Sequence, residues 1–158
     1  MTEPKRILIA DDENPKLDSI TEFVASALPE VFVTTSRSVR STLDQLQANT
    51  FDLLVLDMSL PTFDVAPGEK GGRAQNLGGE EVLRYMEFYG CECPVIIVTQ
   101  FDHFFENGGH VGLDHVAARL RVEHPGTFRR VIHYAGSTSS GWRQEVLQEL
   151  QKIKGEEK

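Results

Sequence analysis

Four carboxylates and one hydroxyl stand where short apolar runs end, the place at which side chains of a sheet protein become free to do chemistry. Asp11, Asp12 and Glu13 follow Ile7-Leu8-Ile9-Ala10, Asp57 follows Leu53-Leu54-Val55-Leu56, and Thr99 closes Val95-Ile96-Ile97-Val98. A lone Asp at such a point is ordinarily a turn or helix-cap residue. Several at one sheet edge are different, because like charges held close raise one another's pKa unless a cation is present. Asp11, Asp12 and Asp57 together therefore imply a divalent metal, and hard oxygen donors with room for water favour Mg²⁺. Asp57 is then a candidate nucleophile, since a carboxylate can attack a phosphoryl group to form an aspartyl phosphate. Thr99 is placed to donate its hydroxyl to one of the transferred oxygens.

The elements that must position these groups are legible from apolar spacing. Runs of β-branched and apolar residues predict strands at 7–10, 31–35, 51–56, 95–99 and 130–135. Helical spacing lies between them: Leu17, Ile20 and Val24 after Asn14-Pro15; Val39, Leu43 and Leu46; Val82, Leu83 and Met86, ended by Gly90. Leu113, Val116, Ala117 and Leu120 precede the stop Pro125-Gly126, and Trp142, Val146, Leu150 and Ile153 form a last helix. Strands alternating with helices in this way imply a doubly wound α/β fold, a parallel sheet covered on both faces. Two segments, about 62–78 and 101–112, are longer than that architecture needs. No internal repeat is present.

Composition excludes several classes. The 158 residues suit one domain, 1–158, and 40% hydrophobic content argues for a packed core. No apolar run approaches the roughly 18 residues of a membrane helix, and the start MTEPKRILIADDE turns acidic too early for a signal peptide. A cytoplasmic protein with no membrane partner is expected. Cys91 and Cys93 are too close in sequence for an unstrained disulfide and read as core thiols; with His103, His110 and His115 they keep no familiar zinc spacing. The net charge of -8 is uneven: residues 1–100 carry 16 acidic and 8 basic side chains, and residues 101–158 carry 8 of each. Nucleic acid is not an expected partner, because binding it requires a basic footprint. Arg119, Arg121, Arg129 and Arg130 read either as a solvated face or as a surface for an acidic protein.

In these residues the sequence resembles the receiver domains of two-component response regulators. Ile7 to Glu13 is similar to that family's first strand and acidic pair, Asp52-Leu53-Leu54-Val55-Leu56-Asp57-Met58-Ser59-Leu60-Pro61 to its third strand and phosphorylation site, and Pro94 to Thr99 to its fourth strand and switch hydroxyl. The resemblance implies a flavodoxin-like (βα)5 fold with strand order 2-1-3-4-5. It implies that Asp57 accepts phosphate and that Asp11, Asp12, Asp57 and the Ser59 carbonyl hold Mg²⁺. Gly79 matches the glycine before the third helix, which makes 62–78 an insertion. A sensor histidine kinase or phosphotransfer protein would supply the phosphoryl group, and a downstream protein partner would read it. Such a chain is a phosphoacceptor in a phosphorelay rather than an enzyme, with at most slow autodephosphorylation. Ending soon after the last helix, it is expected to be a stand-alone receiver or one cut from a longer protein.

The departures are specific. The family's fifth strand ends in a lysine that pairs with the phosphoryl group, and Val131-Ile132-His133-Tyr134-Ala135-Gly136-Ser137 contains none. With Tyr134 as the family's switch aromatic, Ser137 falls where that lysine is expected, and Lys70 or Arg73 in the insertion would be substitute cations. Gln100 replaces a small residue and is expected to narrow access to the site. The output face would carry Tyr134, Arg119 and Arg121, with the 101–112 insertion at its edge. Two other readings remain. One is a receiver-like protein-binding module that is not phosphorylated. The other is a metal-dependent phosphohydrolase, although such enzymes usually carry a second Asp where Ser59 stands.

Overall fold

The computed structural model describes residues 3–64, 78–106 and 108–155. In chain order they form β1 (Arg6–Ala10), α1 (Asn14–Ala27), β2 (Phe32–Ser36), α2 (Val39–Ala48), β3 (Leu53–Leu56), α3 (Gly78–Phe88), β4 (Val95–Thr99), β5 (His103–Glu106), β6 (Gly109–Gly112), α4 (Leu113–Glu123), β7 (Phe128–His133) and α5 (Gly141–Gly155). Five strands make one parallel sheet in the order β2-β1-β3-β4-β7, the flavodoxin-like arrangement expected. The strand read at 130–135 begins earlier, at Phe128, and its ladder partner for Thr99 is His133. Within the segment 101–112, β5 and β6 pair antiparallel, between β4 and α4 in the chain. The segment's alternation is too short, and too rich in His and Gly, to be read as strand from the sequence.

Parallel strands are covered on both faces, so each strand serves two cores. Leu8, Ala10, Leu54, Leu56, Val95 and Ile97 face one layer, where Val39 of α2, Val82, Leu83 and Met86 of α3, and Val116 and Leu120 of α4 pack. Ile7, Ile9, Leu53, Val55, Ile96, Val98 and Ile132 face the other, formed by Leu17, Ile20 and Val24 of α1 and Trp142, Val146 and Leu150 of α5. Trp142 is buried here: its Nε1 donates to the Gly136 carbonyl at 2.9 Å, and its ring meets Phe23 edge-on. No helix among the described residues is long and apolar enough to cross a membrane.

α1 and α2 begin within four residues of the carboxyl ends of β1 and β2, so those strand ends and first helical turns share one edge of the sheet. Pro15 falls within the first positions of α1, where its missing N–H costs nothing. Ser38 caps α2 by accepting from the Ser41 N–H, and the Ser41 hydroxyl completes a reciprocal box. At the start of α3, Gly79 donates its N–H to the Met58 carbonyl at 2.9 Å, and a Cβ there would lie 2.5 Å from the Asp57 carbonyl oxygen. Only a residue without a side chain lets α3 approach the turn after β3 so closely. Gly79→Ala should therefore lower the unfolding free energy by about 1–3 kcal/mol, measured by urea denaturation, with the larger changes in amide chemical shift falling on residues 57–60.

Candidate functional site

Register brings the acidic residues together. In β1 and β3, Ala10 lies opposite Leu56, so the next residues, Asp11 and Asp57, emerge side by side. The Asp57 N–H donates to the Ala10 carbonyl and the Asp11 N–H to the Ser36 carbonyl, each at 2.9 Å, which ties both residues to the sheet. Asp12 follows on the half-buried rim, where Arg37 holds its backbone carbonyl at 2.9 Å and the Asn14 side chain at 2.6 Å. One carboxylate oxygen from each of Asp11, Asp12 and Asp57 lies within 4.8 Å of the others, a grouping of three oxygen donors open on the Asp12 side.

A fourth group completes the site. Lys16, in the first turn of α1, is 1% exposed, with its Nζ 2.7 Å from Asp11 Oδ2 and 3.2 Å from Asp57 Oδ1. Asp11 accepts the Glu13 N–H through its other oxygen at 2.9 Å. Burial would lower the pKa of an isolated lysine, but Asp57 and then Asp11 outweigh it and hold the Lys16 ammonium above its ordinary value. Asp57 is pushed up to about 6, chiefly by burial, with Asp11 adding to the shift and Lys16 opposing it. Burial, and then Asp11, also raises Asp12; a backbone hydrogen bond, Lys16 and Arg37 offset this only in part. The charge on the Asp12 side is thus under-compensated, and hard oxygen donors with that deficit fit a Mg²⁺-like cation.

Lys16 is missing from the residues that strand-end spacing singles out because it sits on a helix, and a lysine in a first helical turn ordinarily reads as solvated. A signal was present. Position 16 lies four residues before Ile20 and eight before Val24, on the apolar stripe of α1, where a charge is out of place.

No family model matches the sequence. Among solved structures, the CheY-like receiver domain protein of Methanospirillum hungatei superposes with a TM-score of 0.63 at 18% identity, over 96% of this chain and 95% of that one. The response regulator TrrA of Thermotoga maritima, in complex with Mg(2+)-BeF, gives 0.62 at 17% identity, over 94% of this chain and 98% of its own. The fold is that of a response-regulator receiver domain. A curated relative, the Detocs response regulatory protein DtcB of Enterobacter cloacae, is 25% identical over 150 residues, covering 94% of this chain and 99% of that protein.

Within the receiver fold the remaining expected residues are placed as follows. Ser59 lies in the turn directly after Asp57, and its N–H supports the Asp57 carboxylate. Thr99 is fully buried at the end of β4, and its Oγ1 accepts the Phe101 N–H at 3.2 Å. Tyr134 and Ser137 are not where the resemblance would set a switch aromatic and a lysine. Tyr134 packs on Trp142 at 5.2 Å, in the α1–α5 layer with Ile132 and Val98, so strand alternation puts it on the sheet face opposite Thr99. Ser137 is exposed beyond the strand, and its carbonyl accepts from Arg143. The strand-end position beside Thr99 belongs to His133, whose exposed ring meets the Gln100 carbonyl at 3.2 Å. Gln100 is itself exposed.

The arginine face is largely engaged within the chain. Arg119 pairs with the buried Glu80 of α3 and with Glu123 at 3.0 Å, and Arg130 pairs with Glu145 at 2.7 Å. The Arg121 guanidinium lies 6.0 Å above the Phe128 ring. Lys70 and Arg73 lie outside the described residues. Cys91 and Cys93 are free thiols, and burial pushes the Cys93 thiol up to about 12, which makes it a poor metal ligand at neutral pH.

The raised Asp57 carboxyl fixes the sign of a pH dependence. Its folded pKa of about 6 exceeds the roughly 3.9 of an unfolded aspartate. The folded state thus binds the proton more tightly, and the stability this contributes below pH ~4 is lost as pH rises through about 6. Asp57→Asn, which keeps the shape without the ionisation, should melt at or above the wild-type temperature at pH 7.5 in metal-free buffer. The difference should vanish by about pH 4 in parallel thermal scans.

Proposed function

We propose that this chain is a phosphoacceptor of a two-component phosphorelay, taking a phosphoryl group on Asp57 and passing the signal to a protein partner. One observation carries the reading: Asp57 is buried at the carboxyl end of β3, beside Asp11 and Asp12, with their oxygens clustered as a cation site. The phosphodonor is a phosphohistidine of a sensor kinase or phosphotransfer protein, or a small acyl phosphate. An Asp57 oxygen forms the new bond to phosphorus while the bond from phosphorus to the donor breaks, its electron pair leaving with the donor. Asp11, Asp12, Asp57 and the Ser59 carbonyl are the groups that would hold Mg²⁺, which supplies neutralisation of the oxygens of the transferring group when bound. The Thr99 hydroxyl, at the end of the neighbouring strand, donates to one of those oxygens. The DtcB relative's name, a response regulatory protein, supports the same role.

A receiver-like module that is not phosphorylated keeps one observation in its favour, since Lys16 already gives two of the three carboxylates a counterion. A single experiment separates the two readings. Acetyl phosphate with Mg²⁺ should add one phosphoryl group to wild type by intact-mass measurement, and none to Asp57→Asn. Labelling of the Asn variant would move the acceptor elsewhere, and labelling of neither protein would leave the binding module.

A further inference from the structure

The charge inventory around Asp57 leaves one ammonium with no role in the proposed transfer. Lys16 is buried as deeply as the core leucines, yet its stem rises from a helix whose neighbouring inward residues are Leu17, Ile20 and Val24. Nothing about packing α1 requires a cation there. Its Nζ touches the side chain that would accept phosphate, Asp57 Oδ1 at 3.2 Å, and keeps a shorter contact to Asp11 Oδ2 at 2.7 Å. Meanwhile β7 and the turn after it, residues 128–140, contain no lysine, and its strand-end side chain, His133, is exposed.

We propose that Lys16 is the cation that binds the phosphoryl oxygens of phosphorylated Asp57, supplied from the first turn of α1 instead of from the end of the last parallel strand. The inference rests on Asp57 being the phosphoacceptor. Before transfer, the three carboxylates and Lys16 carry a net charge of two negative units when all are ionised. When an Asp57 oxygen bonds to phosphorus and an acyl-phosphate donor leaves as its carboxylate, the acceptor side chain becomes a dianion and the site gains one more negative unit. The esterified Asp57 oxygen is then a poorer acceptor than the new phosphoryl oxygens. Lys16 exchanges the first for the second while Asp11 stays as its anchor. An ammonium with three donors on a flexible four-carbon stem makes that exchange without any shift of the helix backbone.

The same geometry gives Lys16 a second, opposite effect. In the unphosphorylated site it pairs with Asp11 and Asp57 and offsets part of their charge, so it competes electrostatically with a divalent cation for the same oxygens. Removing it should help the metal and harm the phosphoryl transfer, a pair of signs that a purely structural lysine does not produce.

The test uses the full chain, with Mg²⁺ and acetyl phosphate as probes, and compares wild type, Lys16→Met, Lys16→Arg and Asp57→Asn. Lys16→Met should bind Mg²⁺ about tenfold more tightly by calorimetry, yet accept phosphate roughly ten- to a hundredfold more slowly, the worth of one charge-assisted hydrogen bond. Lys16→Arg, which restores charge with altered reach, should recover part of the rate and return Mg²⁺ affinity toward wild type. Labelling of Lys16→Met at the wild-type rate, with Asp57→Asn unlabelled, would overturn the assignment and leave the phosphoacceptor reading standing. Failure of wild type itself to label would remove that reading, and this inference with it. A Lys16→Met protein that loses both Mg²⁺ binding and labelling would mark a structural lysine and also overturn it. Wild type provides a check independent of any variant's folding: the protected Lys16 ammonium, observed by ¹⁵N NMR of the lysine side chains, should shift on phosphorylation. An unmoved signal would overturn the proposal.

Discussion

Asp11 and Asp57 are held together by hydrogen-bond register and not by any attraction of their own. Because β1 and β3 are parallel neighbours with Ala10 opposite Leu56, the residues that follow must emerge side by side. Sheet pairing therefore sets up a repulsion, and the buried ammonium between the two carboxylates is what makes that arrangement tolerable. The rest of the edge is arranged around this point. Arg37 ties β2 to the Asp12 carbonyl, α3 is seated against the turn after Asp57, and Asp12 is left on the open side with its charge only partly met.

The position of Lys16 runs against two local rules. A positive charge in the first turn of a helix opposes the helix dipole, and a charge on an apolar stripe opposes the burial pattern. Both penalties fall on one residue, and both are offset by the same pair of carboxylates. Such conflicts between local preference and final structure are where function tends to reside, since a lysine is needed at this helix position only because the two carboxylates are there. By contrast, the two hydrophobic layers largely follow local preference: side chains alternate along the central strands, and the amphipathic helices turn their apolar stripes inward.

Fold class was legible because near-continuous apolar runs such as Leu53 to Leu56 and Val95 to Thr99 mark strands buried on both faces, and the helices between them keep a regular apolar spacing, whereas the order of the strands came only from the family resemblance. The carboxylates were legible because strand ends are where such side chains gather. The last parallel strand was less so. Arg129 and Arg130 interrupt its apolar pattern, which hides its start at Phe128, and the resemblance makes Tyr134 the switch aromatic of the output face although it packs in the Trp142 layer. The β5–β6 hairpin was hidden by brevity, and Lys16 by the habit of reading charges along helices as solvated.

Gly78 and Gly79 bear on how much chain length this edge of the sheet can carry without disturbing its chemistry. Gly78 closes against Leu60 and Gly79 against Asp57, while the carbonyls of Pro61 and Thr62 are taken by the N–H groups of Val39 and Arg40. The backbone therefore departs and returns through adjacent points, each fastened to the sheet edge or to α2. A flexible chain joining two such points pays a closure entropy that grows only logarithmically with its length. The number of residues between Thr62 and Gly78 is therefore only weakly coupled to stability, and the acidic edge depends on the two glycine contacts and not on that number.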